Sequence, residues 1–232
     1  MTGTHAPSVL LTVSGTRRDT VPAVETLRDM ARAHGVRAGF VIVPRGSGWR
    51  LGDDDATLEL LHDSAARGHE LLLGGLGEPV DDFRRIGHHE ARLRLTAAGR
   101  QLGALGLRPE VVAPVRWQVS APALSAARDL GYRTAADAYE VHGLRDGTRW
   151  GVRVLALGEG FGAAPWWRRT VVTSARRLID RRHDLRLSVA ASHAGSGRVV
   201  EALDRVLGDA AAAGYRSPGY GGFRGCAGAV AA

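Results

Sequence analysis

The chain has 232 residues, 44% of them hydrophobic and 24% charged, which is enough for one well-buried core and excludes global disorder. No apolar run approaches the ~20 residues of a membrane span, and residues 1–8 lack the basic-then-apolar pattern of a secretory signal. The formal charge is +7, carried by arginine without a single lysine, and the lone Cys226 leaves no internal disulfide or cysteine metal cluster. A cytoplasmic location is the expectation. The arginines occur in short dispersed pairs such as Arg17-Arg18, Arg84-Arg85, Arg168-Arg169 and Arg181-Arg182. A nucleic-acid footprint would be a clustered stripe interleaved with aromatics, so nucleic acid is disfavoured as a partner.

Val9-Leu10-Leu11-Thr12-Val13 predicts a first buried strand that ends at Ser14-Gly15-Thr16. Val21, Val24, Leu27 and Met30 recur at three-residue spacing and predict a helix over 20–34, with Pro22 in its first turn and Gly35 at its end. A second strand over 40–43 closes at Pro44. Asp53-Asp54-Asp55 imitates a metal site but reads as a capping run for a helix over 56–67.

Leu71-Leu72-Leu73 is the third strand, and Gly74-Gly75-Leu76-Gly77 lets the chain turn at its carboxyl end. That end is where α/β folds bind ligands. The glycines lack dinucleotide-loop spacing, and polar loop follows them. A long amphipathic helix spans 88–105. The adjacent His88 and His89 at its start point about 100° apart and so read as surface residues, not a ligand pair.

Val111-Val112 is the fourth strand and leads into Ala113-Pro114-Val115-Arg116-Trp117. Ser120 caps a helix to Leu130, and a fifth strand covers 132–135. An irregular segment with Tyr139, His142 and Trp150 is expected next, then a sixth strand over 152–157 and a glycine loop over 158–162. Pro165 opens a helix over 165–182. A seventh strand over 185–191 ends at Ser192-His193, and a last helix covers 198–213. Residues 219–232 are rich in glycine and alanine without periodicity, so a disordered tail is expected behind a single domain over 1–218. Seven strands alternating with helices predict a parallel sheet, either open and doubly wound or closed into a barrel.

The ordered set of strand ends is recognisable. A first strand ending in Ser14-Gly15, the Leu73-Gly74-Gly75 turn, Ala113 to Trp117 and the run from Leu187 to His193 together resemble the polysaccharide deacetylase (NodB-homology) superfamily, in a divergent branch with Val-Ser-Gly in the first strand. Trp49-Arg50-Leu51 and the passage from Gly158-Glu159-Gly160-Phe161 to Pro165-Trp166-Trp167 support it, over residues 7–215. The resemblance implies an α/β fold, a distorted (β/α)7-type barrel of the glycoside hydrolase/deacetylase kind, with its site at the carboxyl face. It also implies a zinc-like divalent metal held by an aspartate after the first strand and a His-x-x-x-His pair after the third. Such a metal polarises an acetamide carbonyl and activates water, while an aspartate acts as base and a late histidine as acid.

Carried across, the aspartate position falls at Ser14-Gly15, the first histidine at Gly74 and the second at Glu78. Glycine offers no ligand atom, and three protein ligands are expected of a catalytic zinc. The reading is therefore a degenerate metal site with no cofactor, in a pseudoenzyme that binds a carbohydrate or other small polar ligand. His193 matches the late histidine. Ser14, Arg116, Trp117, Trp166 and Trp167 are the candidate ligand-binding residues, with the tryptophans serving as core on one side and sugar platform on the other. The alternative is a deacetylase-like hydrolase with a rebuilt site, in which Glu78 and His193 are catalytic and Arg116 steadies a charged intermediate. Glu78 also reads as an exposed loop residue, and Ser14 as a hydrogen-bonding residue of a tight turn. The oligomeric state is not legible.

Overall fold

A computed structural model describes residues 6–77, 83–157 and 165–225. The chain starts with strand β1 (Val9–Ser14), helix α1 (Val21–Ala33) and strand β2 (Ala38–Ile42). A small hairpin, β3 (Arg45–Gly46) and β4 (Trp49–Arg50), precedes α2 (Asp55–Ala66) and β5 (Glu70–Leu73). Next come α3 (His88–Ala104), β6 (Val111–Val112), α4 (Ala121–Asp129) and β7 (Thr134–Ala136). Strands β8 (Glu140–Gly143), β9 (Arg149–Gly151) and β10 (Val154–Leu157) lead to α5 (Pro165–Asp180) and β11 (Leu185–Ala190). The chain closes with a helical turn α6 (Ala191–Ala194), α7 (Gly197–Ala212) and a short α8 (Gly219–Gly222).

Nine strands form one sheet in the order β10-β11-β1-β2-β5-β6-β7-β8-β9. Every pair from β10 round to β7 is parallel, and these are the seven strands that the apolar runs predict. Parallel neighbours need crossovers, and the helices supply them on the outer face. The remaining strands, β8 and β9, are antiparallel. Past β9 the backbone of Val152 donates to Tyr139 O at 2.9 Å and that of Val154 to Ala138 O at 3.0 Å. The wall thus curls back on itself as a distorted barrel.

Two expectations are corrected here. The segment from Tyr139 to Trp150 is a regular hairpin, turned at Asp146-Gly147, where Asp146 accepts from Thr148 N at 3.0 Å. The expected tail does not begin at Gly219, because Tyr220 and Phe223 are buried inside the barrel. Tyr220 Oη lies 2.7 Å from Thr12 Oγ1, and Phe223 meets Trp150 edge to face at 5.7 Å. Glu70, at the start of β5, accepts hydrogen bonds from the backbone of Tyr220 and Gly221 and so fixes the segment. Residues 226–232 lie outside the described residues.

Side-chain alternation along the strands divides the interior into two cores. Val9, Leu11, Val13, Phe40, Ile42 and Leu73 pack outward against the helices. Leu10, Val41, Leu72, Val111 and Ala136 point the other way, with Trp117, Trp150, Tyr220 and Phe223, and fill the lumen. The aspartate run behaves as a cap. Asp54 is buried and accepts from Trp49 Nε1 at 2.9 Å, Arg18 N at 2.9 Å and Thr57 Oγ1 at 2.8 Å. Burial pushes its carboxyl up, but these hydrogen bonds outweigh that and hold it below the usual carboxylate range.

Candidate functional site

The carboxyl ends of the parallel strands define the barrel mouth. Strand β1 ends at Ser14, and Gly15 follows with a φ of +74°, a left-handed turn that a side-chain-bearing residue adopts only with strain. Thr20 Oγ1 donates to Gly15 O at 2.8 Å and holds that turn. Beyond β5, Gly74 donates its N–H to Ile42 O at 2.8 Å and accepts from Val115 N at 3.2 Å. It is wedged between the ends of β2 and β6. A Cβ at Gly74 would lie 2.6 Å from Val41 Cγ1, 3.1 Å from Val43 Cγ1 and 3.3 Å from Ile42 O. The space that a ligand-bearing side chain would need is occupied by valine methyls.

The candidate residues distribute around this mouth unevenly. Ser14 is half-buried, and its register partner on the neighbouring strand is Ala190, three residues before His193. His193 sits in the turn α6 immediately after β11, half-buried, and its ring makes no hydrogen bond among the described residues. Glu78 lies outside the described residues, as does the glycine loop over 158–162. Arg116 is exposed, with a φ of 61°, and the next residue, Trp117, also has a positive φ of 58°. This paired left-handed turn swings the Trp117 ring inward, so it faces the lumen and not open solvent, with only 7% of it exposed. Of the tryptophan pair, Trp167 donates Nε1 to Ala156 O at 3.1 Å, while Trp166 stands 58% exposed and meets Trp167 edge to face. His88 is an exposed partner of Asp129 at 2.7 Å.

The sequence reading missed the most unusual side chain. Arg186, on the lumen face of β11, is fully buried, with its guanidinium 4.2 Å from the Trp117 ring centre and 5.5 Å from that of Tyr220. Its Nε donates to Tyr220 Oη at 3.0 Å. Its Nη1 reaches across the lumen to the carbonyls of Asp137 at 2.6 Å, Val152 at 3.3 Å and Glu140 at 3.4 Å. Among the described residues no carboxylate pairs with it and its Nη2 has no partner. A buried charge is costly unless it is solvated by the protein, and here carbonyl dipoles and aromatic faces do that. The signal was an arginine in the second position of Leu-Arg-Leu-Ser-Val, alternating with apolar residues.

Asp137, Glu140 and His142 also converge, with donor atoms within 4.8 Å of one another. Asp137 already accepts from the backbone of Tyr139 and Glu140, each at 2.7 Å, and from His142 Nε2 at 2.9 Å. Burial pushes the Asp137 carboxyl up, and these hydrogen bonds, that of His142 foremost, pull it below its ordinary range. Asp137 locks the turn between β7 and β8 through these bonds, while the Glu140 carboxylate lies 3.9 Å from His142 and 3.8 Å from Arg149. Among the described residues, the two positions where the resemblance places the aspartate and the first histidine do not suit a zinc-like ion either. Gly15 and Gly74 have no donor, and Gly74 has no room for one.

No family model matches the chain, and no curated protein matches it. Solved structures do. A protein from Mycobacterium smegmatis assigned as a polysaccharide deacetylase superposes with a TM-score of 0.67 at 14% identity, over 94% of this chain and 88% of that one. An acetyl xylan esterase of family 4 from Clostridium thermocellum, solved with a cobalt ion, gives 0.61 at 13% identity over 91% and 87%. A CE4 family pseudoenzyme from Bacillus anthracis gives 0.62 at 14% identity over 93% of this chain. The chain spans 64% of the length of that pseudoenzyme. The fold of this chain is that of the CE4 polysaccharide deacetylases.

Proposed function

We propose that this chain is a deacetylase-fold protein without a working metal centre, which binds a carbohydrate or other small polar ligand at the barrel mouth. The observation that carries the reading is the filled space at Gly74. A position that had merely lost its side chain would leave a gap, whereas here Val41 and Val43 have closed it. The same fold occurs in a pseudoenzyme, and a mutant of that protein has restored enzymatic activity, so the scaffold tolerates loss of the chemistry. Ser14, Arg116, His193 and the exposed face of Trp166 are the residues left to contact a ligand, with Trp117 and Trp167 holding the wall behind them. A stacked tryptophan and a free guanidinium suit the apolar face and the oxygens of a sugar.

The test is to purify the chain from medium supplemented with zinc, measure bound metal, and assay acetylated chito-oligosaccharides. Substoichiometric metal, no turnover and saturable binding that Trp166→Ala weakens are the expected results. Stoichiometric zinc with turnover would overturn the reading. Turnover without metal that collapses by orders of magnitude in His193→Ala or Glu78→Ala would instead establish the rebuilt hydrolase.

A further inference from the structure

A second concave surface lies outside the barrel. Helices α5 and α7 pack side by side and leave between them a groove of about 720 Å³, walled by Arg168, Arg169, Arg176, Arg198, Arg205 and Glu201. Arg176 is drawn to Asp209, 3.3 Å away. The other four guanidiniums have no ion pair among the described residues, so one carboxylate in the groove faces an excess of positive charge. Like charges gathered in a concavity repel one another and focus the field into it, and an anion relieves that cost. Both helices follow parallel strands, β10 and β11, so their N-termini lie at one end of the groove. Arg168 falls in the first turn of α5 and Arg198 in the first turn of α7, whose Ser196 makes no side-chain cap. From Arg168 to Arg176 the helix advances about 12 Å.

We propose that this groove binds a short linear oligophosphate. The arginine fork matches phosphate oxygens in pairs, and the two helix N-termini add favourable dipoles at the end that carries Arg168 and Arg198. The row of guanidiniums along α5 and α7 selects an extended anion over a single phosphate. The lining contains no aromatic residue. Single-stranded nucleic acid is gripped by successive stacking platforms, so this surface reads charge and not bases. No residue that lines the groove is among those assigned to the barrel mouth.

Calorimetric titration with inorganic tripolyphosphate at low salt tests the proposal. One saturable site is expected, weakened about tenfold or more in Arg168→Ala/Arg198→Ala. Arg108→Ala/Arg145→Ala removes the same charge from exposed positions that have no ion pair among the described residues, and its affinity should stay within about twofold of the parent. Thr173→Trp fills the groove without changing its charge and should also abolish binding. Absence of a saturable site, equal losses in both double variants, or unchanged binding by Thr173→Trp would overturn the proposal. Adenosine triphosphate binding as tightly as tripolyphosphate, with the same losses, would support it with a nucleotide as the phosphate source. A thymidine octanucleotide binding more tightly than tripolyphosphate would overturn it in favour of a nucleic-acid surface.

Discussion

The mouth of this barrel and its lumen have handled polar chemistry in opposite ways. At the mouth, where the resemblance places metal ligands, stand Gly15 and Gly74, and the valines of β2 crowd the second of these. A few strand positions below, the lumen holds a buried guanidinium bonded to three carbonyls and a tyrosine, with Thr12 and the C-terminal turn drawn into the same network. One region carries glycine where the resemblance places ligand-bearing side chains, while the other holds a charge that ties distant strands together.

Removing the lumen charge is the hardest blow to that contrast. Arg186→Ala should destabilise the protein by about 3–5 kcal/mol, from the cavity left behind and the carbonyls of Asp137, Glu140 and Val152 stripped of their donor. Arg186→Met refills much of the volume and should recover part of the loss. Urea denaturation reads both, and an Arg186→Ala variant as stable as the parent would break the comparison.

The mouth gives a smaller effect of the opposite kind. Gly74→His should cost about 1–3 kcal/mol through overpacking against Val41 and Val43, and Gly15→Asp/Gly74→His should still bind no stoichiometric zinc. Adding Val41→Ala and Val43→Ala to Gly74→His should return part of the stability. A double variant that gains zinc at no cost in denaturation midpoint would show the mouth to be stripped but not filled.

The gentlest probe is pH. Buried His69 accepts a hydrogen bond from Ala38 N at 3.0 Å, and burial first, then Arg28, Arg37 and Arg67, pushes its ring below the ordinary histidine value. The unfolded chain therefore takes up a proton near pH 6.5 that the folded chain refuses until lower pH. Stability from this group is complete above pH 6.5 and is lost as pH falls toward the folded value, by no more than about 1.4 kcal/mol per pH unit for one proton. Glu70 works against it, since burial raises its carboxyl despite the hydrogen bonds from Gly221 and Tyr220. That favours the folded state as pH drops through the window above 4.5. Between these limits acid should lower the urea midpoint of the parent relative to that of His69→Gln, in which only the opposing contribution of Glu70 remains.

The seven parallel strands were legible because each is a short apolar run closed by glycine, proline or a polar cap, and a strand buried on both faces has that signature. The hairpin of β8 and β9 was not. Val141-His142 and Arg149-Trp150 are too short to display alternation, and only Asp146-Gly147 marked the turn. The segment after Gly219 read as a tail because its glycines carry no period. Its burial comes from Tyr220 and Phe223 entering a lumen that no local pattern reveals. At the site, glycine at positions 15 and 74 stands in the sequence, but the valines beside Gly74 and the inward turn of Trp117 do not.

The amino-acid order alone determined the alternation of strands and helices, the glycines at the mouth and the caps that start the helices, because each depends on neighbours within a few positions. Only the tertiary structure decided which side chains fill the barrel, what stands in the space beside Gly74, and that Arg186 spans from β11 to the far wall. Those facts join residues tens of positions apart, and steric exclusion and the solvation of a buried charge act through space without regard to chain order.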